Sequence, residues 1–180
     1  MTCIVGLKDA DGAVTMGADS ASVAGYNIRL RSDPKLFQKD GLLVGFTSSF
    51  RMGQLLRFKL SVPLCEPAKD ALEYMVSDFV EAVRACLKRG GYAKVEDNIE
   101  RGGVFLVGRM GRLFEIEGDY QVGEVADAYS AIGCGQDFAL GSLYVTEGQP
   151  PENRVRTALE TAAYFSAGVR PPFLIERIAK

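Results

Sequence analysis

The sequence predicts an α+β fold, two antiparallel sheets held between helix pairs, and three observations support it. Short strand-like runs separated by turn signals fill the first 50 residues. The apolar period then changes to that of helices. The same order, strands followed by two helices, repeats before a last strand. A four-layer α/β/β/α sandwich buries both sets of apolar faces, and the strand-helix alternation of a doubly wound fold is absent.

Residues 2 to 8 read as a buried strand, Asp9-Ala10-Asp11-Gly12 as a hairpin turn, and Ala13 to Asp19 as the returning strand. Three more strands are expected at 26–31, 35–38 and 42–47, with Lys39-Asp40-Gly41 turning between the last two. Phe50 to Leu60 reads as a short helix and Pro67 to Arg89 as a long one. In the latter, Leu72, Met75, Val76, Phe79, Val83 and Cys86 form an apolar stripe that ends at Gly90-Gly91. Strands follow at 103–108, 112–117 and 128–132, helices at 136–147 and 153–167, and a strand at 173–178 behind Pro171-Pro172.

With 180 residues, 47% hydrophobic and 24% charged, the chain suits one domain over residues 1–180 with a sizeable core. A net charge of −2 offers no general attraction to nucleic acid or to an anionic membrane. No run approaches the roughly 18 apolar residues of a membrane span. Cys3, Cys65, Cys86 and Cys134 form no CxxC pair, and no secretory leader is visible, so a cytoplasmic protein with reduced thiols is expected. The chain has no histidine. That excludes a Ser-His-Asp triad, a Cys-His dyad and a histidine zinc site within it, so hydrolytic chemistry needs another base.

Thr2 can supply one. A threonine at a mature N-terminus carries nucleophile and base together, because its freed α-amine has a pKa of about 7.7 to 8.0. A small second residue also suits removal of the initiator methionine, which the reading requires of Met1. In an antiparallel hairpin the start of one strand lies beside the end of its partner, so Asp19 is expected next to Thr2.

The segments Thr2-Cys3-Ile4-Val5-Gly6, Gly17-Ala18-Asp19-Ser20, Asp33-Pro34-Lys35-Leu36-Phe37, Gly45-Phe46-Thr47-Ser48-Ser49 and Ala131-Ile132-Gly133-Cys134-Gly135 stand in a telling order. In that order and spacing the chain resembles the N-terminal-nucleophile threonine peptidases of the proteasome β-subunit type. These include HslV and the shorter bacterial proteasome homologues, and the resemblance covers essentially the whole chain. It implies Thr2 as nucleophile, Lys35 as the ammonium beside it, Asp19 as the partner of Lys35, and the Ser48 backbone N–H as oxyanion donor. It also puts Ser22, Val23, Asp33 and Thr47 around the substrate pocket, and Cys134 and Ser166 in support of the amine. No metal or organic cofactor is implied.

Three departures stand out. Gly133-Cys134-Gly135 replaces Gly-Ser-Gly, and a thiol is the weaker hydrogen-bonding group. Ser166 and Val169 stand where many members have Asp and Ser. Thr47-Ser48-Ser49 replaces the commoner Ala-Gly-Gly. The resemblance implies a self-compartmentalising endopeptidase acting on peptides or unfolded protein in a homo-oligomeric ring or double ring, with six- and seven-fold symmetry both open. An ATP-dependent unfoldase is a candidate partner, and the chain, lacking a GxxxxGK[ST] loop, is not that ATPase. Two alternatives stay open: a small-molecule amidase with the same nucleophile, and an inactive ring scaffold.

Overall fold

The computed structural model describes residues 1–180. The chain runs β1 (Cys3–Lys8), β2 (Val14–Ala18), β3 (Ala21–Ala24), β4 (Asn27–Leu30), β5 (Leu36–Lys39) and β6 (Leu42–Phe46). The helical stretch is α1 (Phe50–Lys59), α2 (Ala71–Tyr74), a π-helical turn (Met75–Phe79) and α3 (Val80–Arg89). Then come β7 (Lys94–Glu96), β8 (Ile99–Arg101), β9 (Phe105–Arg109), β10 (Arg112–Ile116), β11 (Val122–Glu124), β12 (Tyr129–Gly133), α4 (Gln136–Val145), α5 (Pro151–Phe165) and β13 (Leu174–Ile178).

The predicted first hairpin is present, with Ile4 opposite Ala18. It forms the centre of one antiparallel sheet, β12-β1-β2-β13, and a second runs β11-β10-β9-β6-β5. Strand alternation explains how the first sheet is covered. Cys3, Val5 and Leu7 point to one side, packing with Ala139 and Leu143 of α4 and Val155, Leu159 and Ala162 of α5. Ile4, Val14 and Met16 point to the other and meet Leu36, Leu43, Leu106 and Leu113 of the second sheet. The far face of that sheet, with Val44, Phe46, Val107 and Phe114, packs with Leu55 and Leu56 of α1 and with Val83 and Leu87 of α3. At Gly6 a Cβ would lie 2.7 Å from Leu106 Cδ2, so glycine permits the close approach of the sheets there.

Several elements differ from expectation. Six strands, not five, precede α1, because β3 pairs with β4 as an outlying hairpin. The hairpin β7-β8 and the edge strand β11 were also unforeseen. The long helix starts at Ala71 rather than Pro67, since Asp70 accepts hydrogen bonds from Leu72 N and Glu73 N and caps it. The π turn shifts the helical phase, leaving Val76 exposed while Met75, Phe79, Val83 and Cys86 are buried. Pro151 begins α5 two residues before the expected Asn153, as suits proline in a first turn.

Candidate active site

The register that pairs Ile4 with Ala18 carries Asp19 past the end of β2, beside β1. Its carboxylate is filled by four donors. Oδ1 accepts from Cys3 N at 3.0 Å and Lys35 Nζ at 2.8 Å, and Oδ2 from Ala21 N at 2.9 Å and Arg170 N at 3.3 Å. One side chain thus fixes the residue after Thr2, the start of β3, the loop before β13 and the lysine preceding β5. Hydrogen bonds to a charged group are worth about 1.5–3 kcal/mol each, which suits a carboxylate holding four segments together.

Lys35 is buried in that contact, and its ammonium donates to no other protein atom. Burial lowers its pKa below the ordinary lysine value, and the charge and hydrogen bond of Asp19 oppose the shift. The Cys3 thiol is pushed up to about 12, first by burial and then by Asp19. Cys3 is therefore a protonated core side chain, not a competing nucleophile.

Thr2 is itself 5% exposed. Its nitrogen is joined to Met1, whose carbonyl oxygen accepts the Thr2 hydroxyl at 2.5 Å. The Thr2 N–H donates to Cys134 Sγ at 3.3 Å; Sγ also reaches Thr2 O at 3.5 Å and Ser166 Oγ at 3.6 Å. Gly133 has φ 97°, and a Cβ there would lie 2.3 Å from Thr2 O, so glycine alone suits the turn that brings Cys134 to Thr2. Ser166 ends α5 and its Oγ accepts from Gly168 N at 3.3 Å, while Val169 is fully buried against the helices.

After β6 the chain makes a left-handed turn at Ser48, φ 64°, which a serine adopts only when its surroundings hold it there. Thr47 N donates to Val104 O at 3.0 Å, and Val104 N donates back to Ser48 Oγ at 3.2 Å. Ser49 caps α1 by accepting from Arg51 N, so the helix starts at Phe50, two residues beyond Ser48. The Ser48 N–H is left without a protein acceptor.

Thr2, Ser22, Val23, Lys35, Thr47 and Ser48, with Met1 and Phe50, share the lining of a small pocket of about 80 Å³. Asp33 is not part of that lining; Arg31 at 2.6 Å holds its carboxylate, with Gln54 at 3.5 Å. A much larger depression of about 1010 Å³ lies over Leu64 and Lys69, away from all of these residues. No group of three His, Cys, Asp or Glu side chains converges to hold a metal ion, and no helix is long and apolar enough to cross a membrane.

Arg170 went unnoticed in the sequence. Beyond its N–H bond to Asp19, its guanidinium donates to the carbonyls of Ala163, Ser166 and Val169 at 3.0, 3.1 and 2.7 Å. It thereby closes the C-terminal end of α5 and fixes the loop behind the carboxylate. A basic residue just past a helix end was the available signal. Phe46 and Phe50 of the pocket carried no signal beyond those of core residues.

No family model and no curated protein matches the sequence. Solved structures do match its shape. BPH of Thiobacillus denitrificans, in complex with epoxomicin, is 18% identical with a TM-score of 0.82, over 99% of this chain and 98% of that one. Eukaryotic HslV from Trypanosoma brucei is 19% identical with a TM-score of 0.70, over 99% and 100%. Anbu, an ancestral β-subunit from Yersinia bercovieri, is 18% identical with a TM-score of 0.66, over 99% and 82%. The chain therefore has the α+β fold of the proteasome-like β-type structures.

Proposed function

We propose that the chain is an N-terminal-nucleophile hydrolase of the proteasome β-subunit type, a threonine endopeptidase that becomes active when Met1 is removed. The observation that carries this is the buried Asp19-Lys35 pair, whose carboxylate accepts from Cys3 N beside Thr2 and whose lysine lines one pocket with Thr2 and with Ser48, the residue of the free N–H. Loss of Met1 frees the Thr2 hydroxyl from the Met1 carbonyl and turns the Thr2 nitrogen into an amine. Thr2 Oγ attacks the scissile carbonyl carbon while that amine takes its proton, directly or through a water. Lys35 stabilises the alkoxide by charge and keeps the amine in its neutral form. The Ser48 N–H donates to the tetrahedral oxyanion, a contact worth about 2.7–4 kcal/mol in rate. The protonated amine then returns its proton to the leaving nitrogen, and water resolves the acyl-enzyme.

Cys134 and Ser166 support the amine, and Ser22, Val23, Thr47 and, at longer range, Asp33 shape the substrate subsite. The three apolar clusters support reading the architecture as four layers, α/β/β/α. The same reading places the protein in the cytoplasm as a homo-oligomeric ring or double ring that cleaves peptides or unfolded protein, with an ATP-dependent unfoldase as candidate partner. Epoxomicin, held by the BPH neighbour, is a natural first ligand to try.

Intact mass of natively expressed protein, followed by assay on a fluorogenic peptide library, tests the proposal. Loss of Met1 together with peptide hydrolysis is expected; Met1 retained on nearly every subunit contradicts it. The replacements at Cys134 and Ser166 favour the inactive scaffold as second reading, and hydrolysis by the processed chain would dismiss it.

A further inference from the structure

Where the structural pattern around the amine departs from a hydroxyl, it brings a sulfur into contact with the nitrogen that must act as base. Cys134 is solvent-exposed, and Sγ lies 3.3 Å from Thr2 N. The sulfur is held there: it also reaches Thr2 O and Ser166 Oγ, and a Cβ at Gly168 would lie 2.6 Å from it. Of the four cysteines, only Cys134 has its sulfur hydrogen-bonded to the Thr2 nitrogen.

We infer that Cys134 and the Thr2 amine form a peroxide-operated switch that closes the active site reversibly through a sulfur-nitrogen bond. The inference rests on the proposed processing of Met1, which supplies the free amine. In the first step the Cys134 sulfur attacks hydrogen peroxide. The O–O bond breaks, sulfur is oxidised by two electrons to the sulfenic acid, and the peroxide is reduced to water. In the second, the Thr2 nitrogen lone pair attacks that sulfur. The S–N bond forms, the S–O bond breaks, and hydroxide leaves with the proton given up by nitrogen, as water. The product has lost two hydrogen atoms relative to the reduced chain. Thr2 then has no free amine to take its hydroxyl proton, so turnover stops. A low-molecular-weight thiol attacks the sulfur, releases the amine and leaves a mixed disulfide; a second thiol restores Cys134. The switch also guards Cys134 against over-oxidation to the sulfinic acid.

The test treats processed protein with hydrogen peroxide, then follows intact mass, peptide mapping and labelling by a peptide epoxyketone, before and after dithiothreitol. Expected are the loss of two hydrogens, a cross-link between the Thr2 and Cys134 peptides, loss of at least nine-tenths of the labelling, and recovery of both with dithiothreitol. Cys134→Ser should show no cross-link and the same labelling with and without peroxide, whatever its starting level. A gain of oxygen at Cys134 with no cross-link would overturn the inference, as would labelling that persists through peroxide. Reduced protein that labels but never cross-links leaves the peptidase reading standing and this inference refuted. A cross-link in protein that never labels refutes the peptidase reading and, with it, the closing of an active site, and leaves only the sulfur-nitrogen bond. Retained Met1 refutes both.

Discussion

Lys35 Nζ lies 2.8 Å from Asp19 Oδ1, with the two side chains 2% and 0% exposed. A pair so deeply buried is costly to form and far costlier to break on one side, because the survivor keeps its charge without solvent or partner. The same pair connects the backbone beside Thr2 with the pocket, so its disruption should be visible in both stability and chemistry.

Asp19→Asn should lower unfolding stability by about 3–5 kcal/mol, since it strands the Lys35 ammonium. Chemical denaturation of the variant against the parent measures this. An unchanged midpoint would mean that the lysine is neutral or finds other partners.

Lys35→Met keeps the length of the side chain and removes the charge. Turnover of a peptide substrate should fall about 10²-fold or more, the scale of losing a preorganised electrostatic group, while the elution volume on size exclusion stays unchanged. Full activity in this variant would remove Lys35 from the mechanism.

The pH dependence has a definite sign. Burial lowers the folded pKa of Lys35 below the ordinary 10.5, so between those values the unfolded chain binds more protons than the folded one. The contribution of Lys35 to stability is therefore complete above 10.5 and is lost as pH falls through the folded value. The stability of the parent relative to Lys35→Met should rise as pH is raised towards 10.5. A flat difference would contradict the desolvation assigned to Lys35.

Gly133→Ala places a methyl group 2.3 Å from Thr2 O at a residue with φ 97°. Backbone strain alone costs about 1–3 kcal/mol, and displacement of Thr2 should abolish peptide hydrolysis. Gly141→Ala, in α4 with open space around it, is the control: a gain of about 0.5–1 kcal/mol is expected in thermal or chemical unfolding.

The continuously apolar strands were the elements easiest to read in the sequence. Cys3 to Leu7 and Val14 to Ala18 have apolar residues on both faces because both faces are covered, and the hairpin between them is enough to place Asp19 beside β1. Lys35 and the Thr47-Ser48-Ser49 loop needed the resemblance as well, since nothing in their spacing alone joins residue 35 to residue 19. Strand β4 falls within the expected strand at 26–31, but its partner β3 was hidden, because Ala21-Ser22-Val23-Ala24 is short and built of small residues that mark no apolar period. The π turn was hidden for the opposite reason: its residues fit a helical stripe, and only the inserted phase turns Val76 outward. The left-handed Ser48 and the Arg170 contacts arise from tertiary pairing with Val104 and Asp19, which local sequence does not encode.

The most direct measurement of the central claim is covalent capture at Thr2. Protein confirmed by mass to lack Met1 is incubated with a peptide epoxyketone or boronate, and the epoxyketone adduct is mapped by peptide mass spectrometry, with Thr2→Ala in parallel. The account predicts one adduct per chain at Thr2, none on Thr2→Ala, and loss of peptide hydrolysis in step with labelling. Failure of both reagents to modify the processed chain, or an adduct confined to another residue, would contradict it.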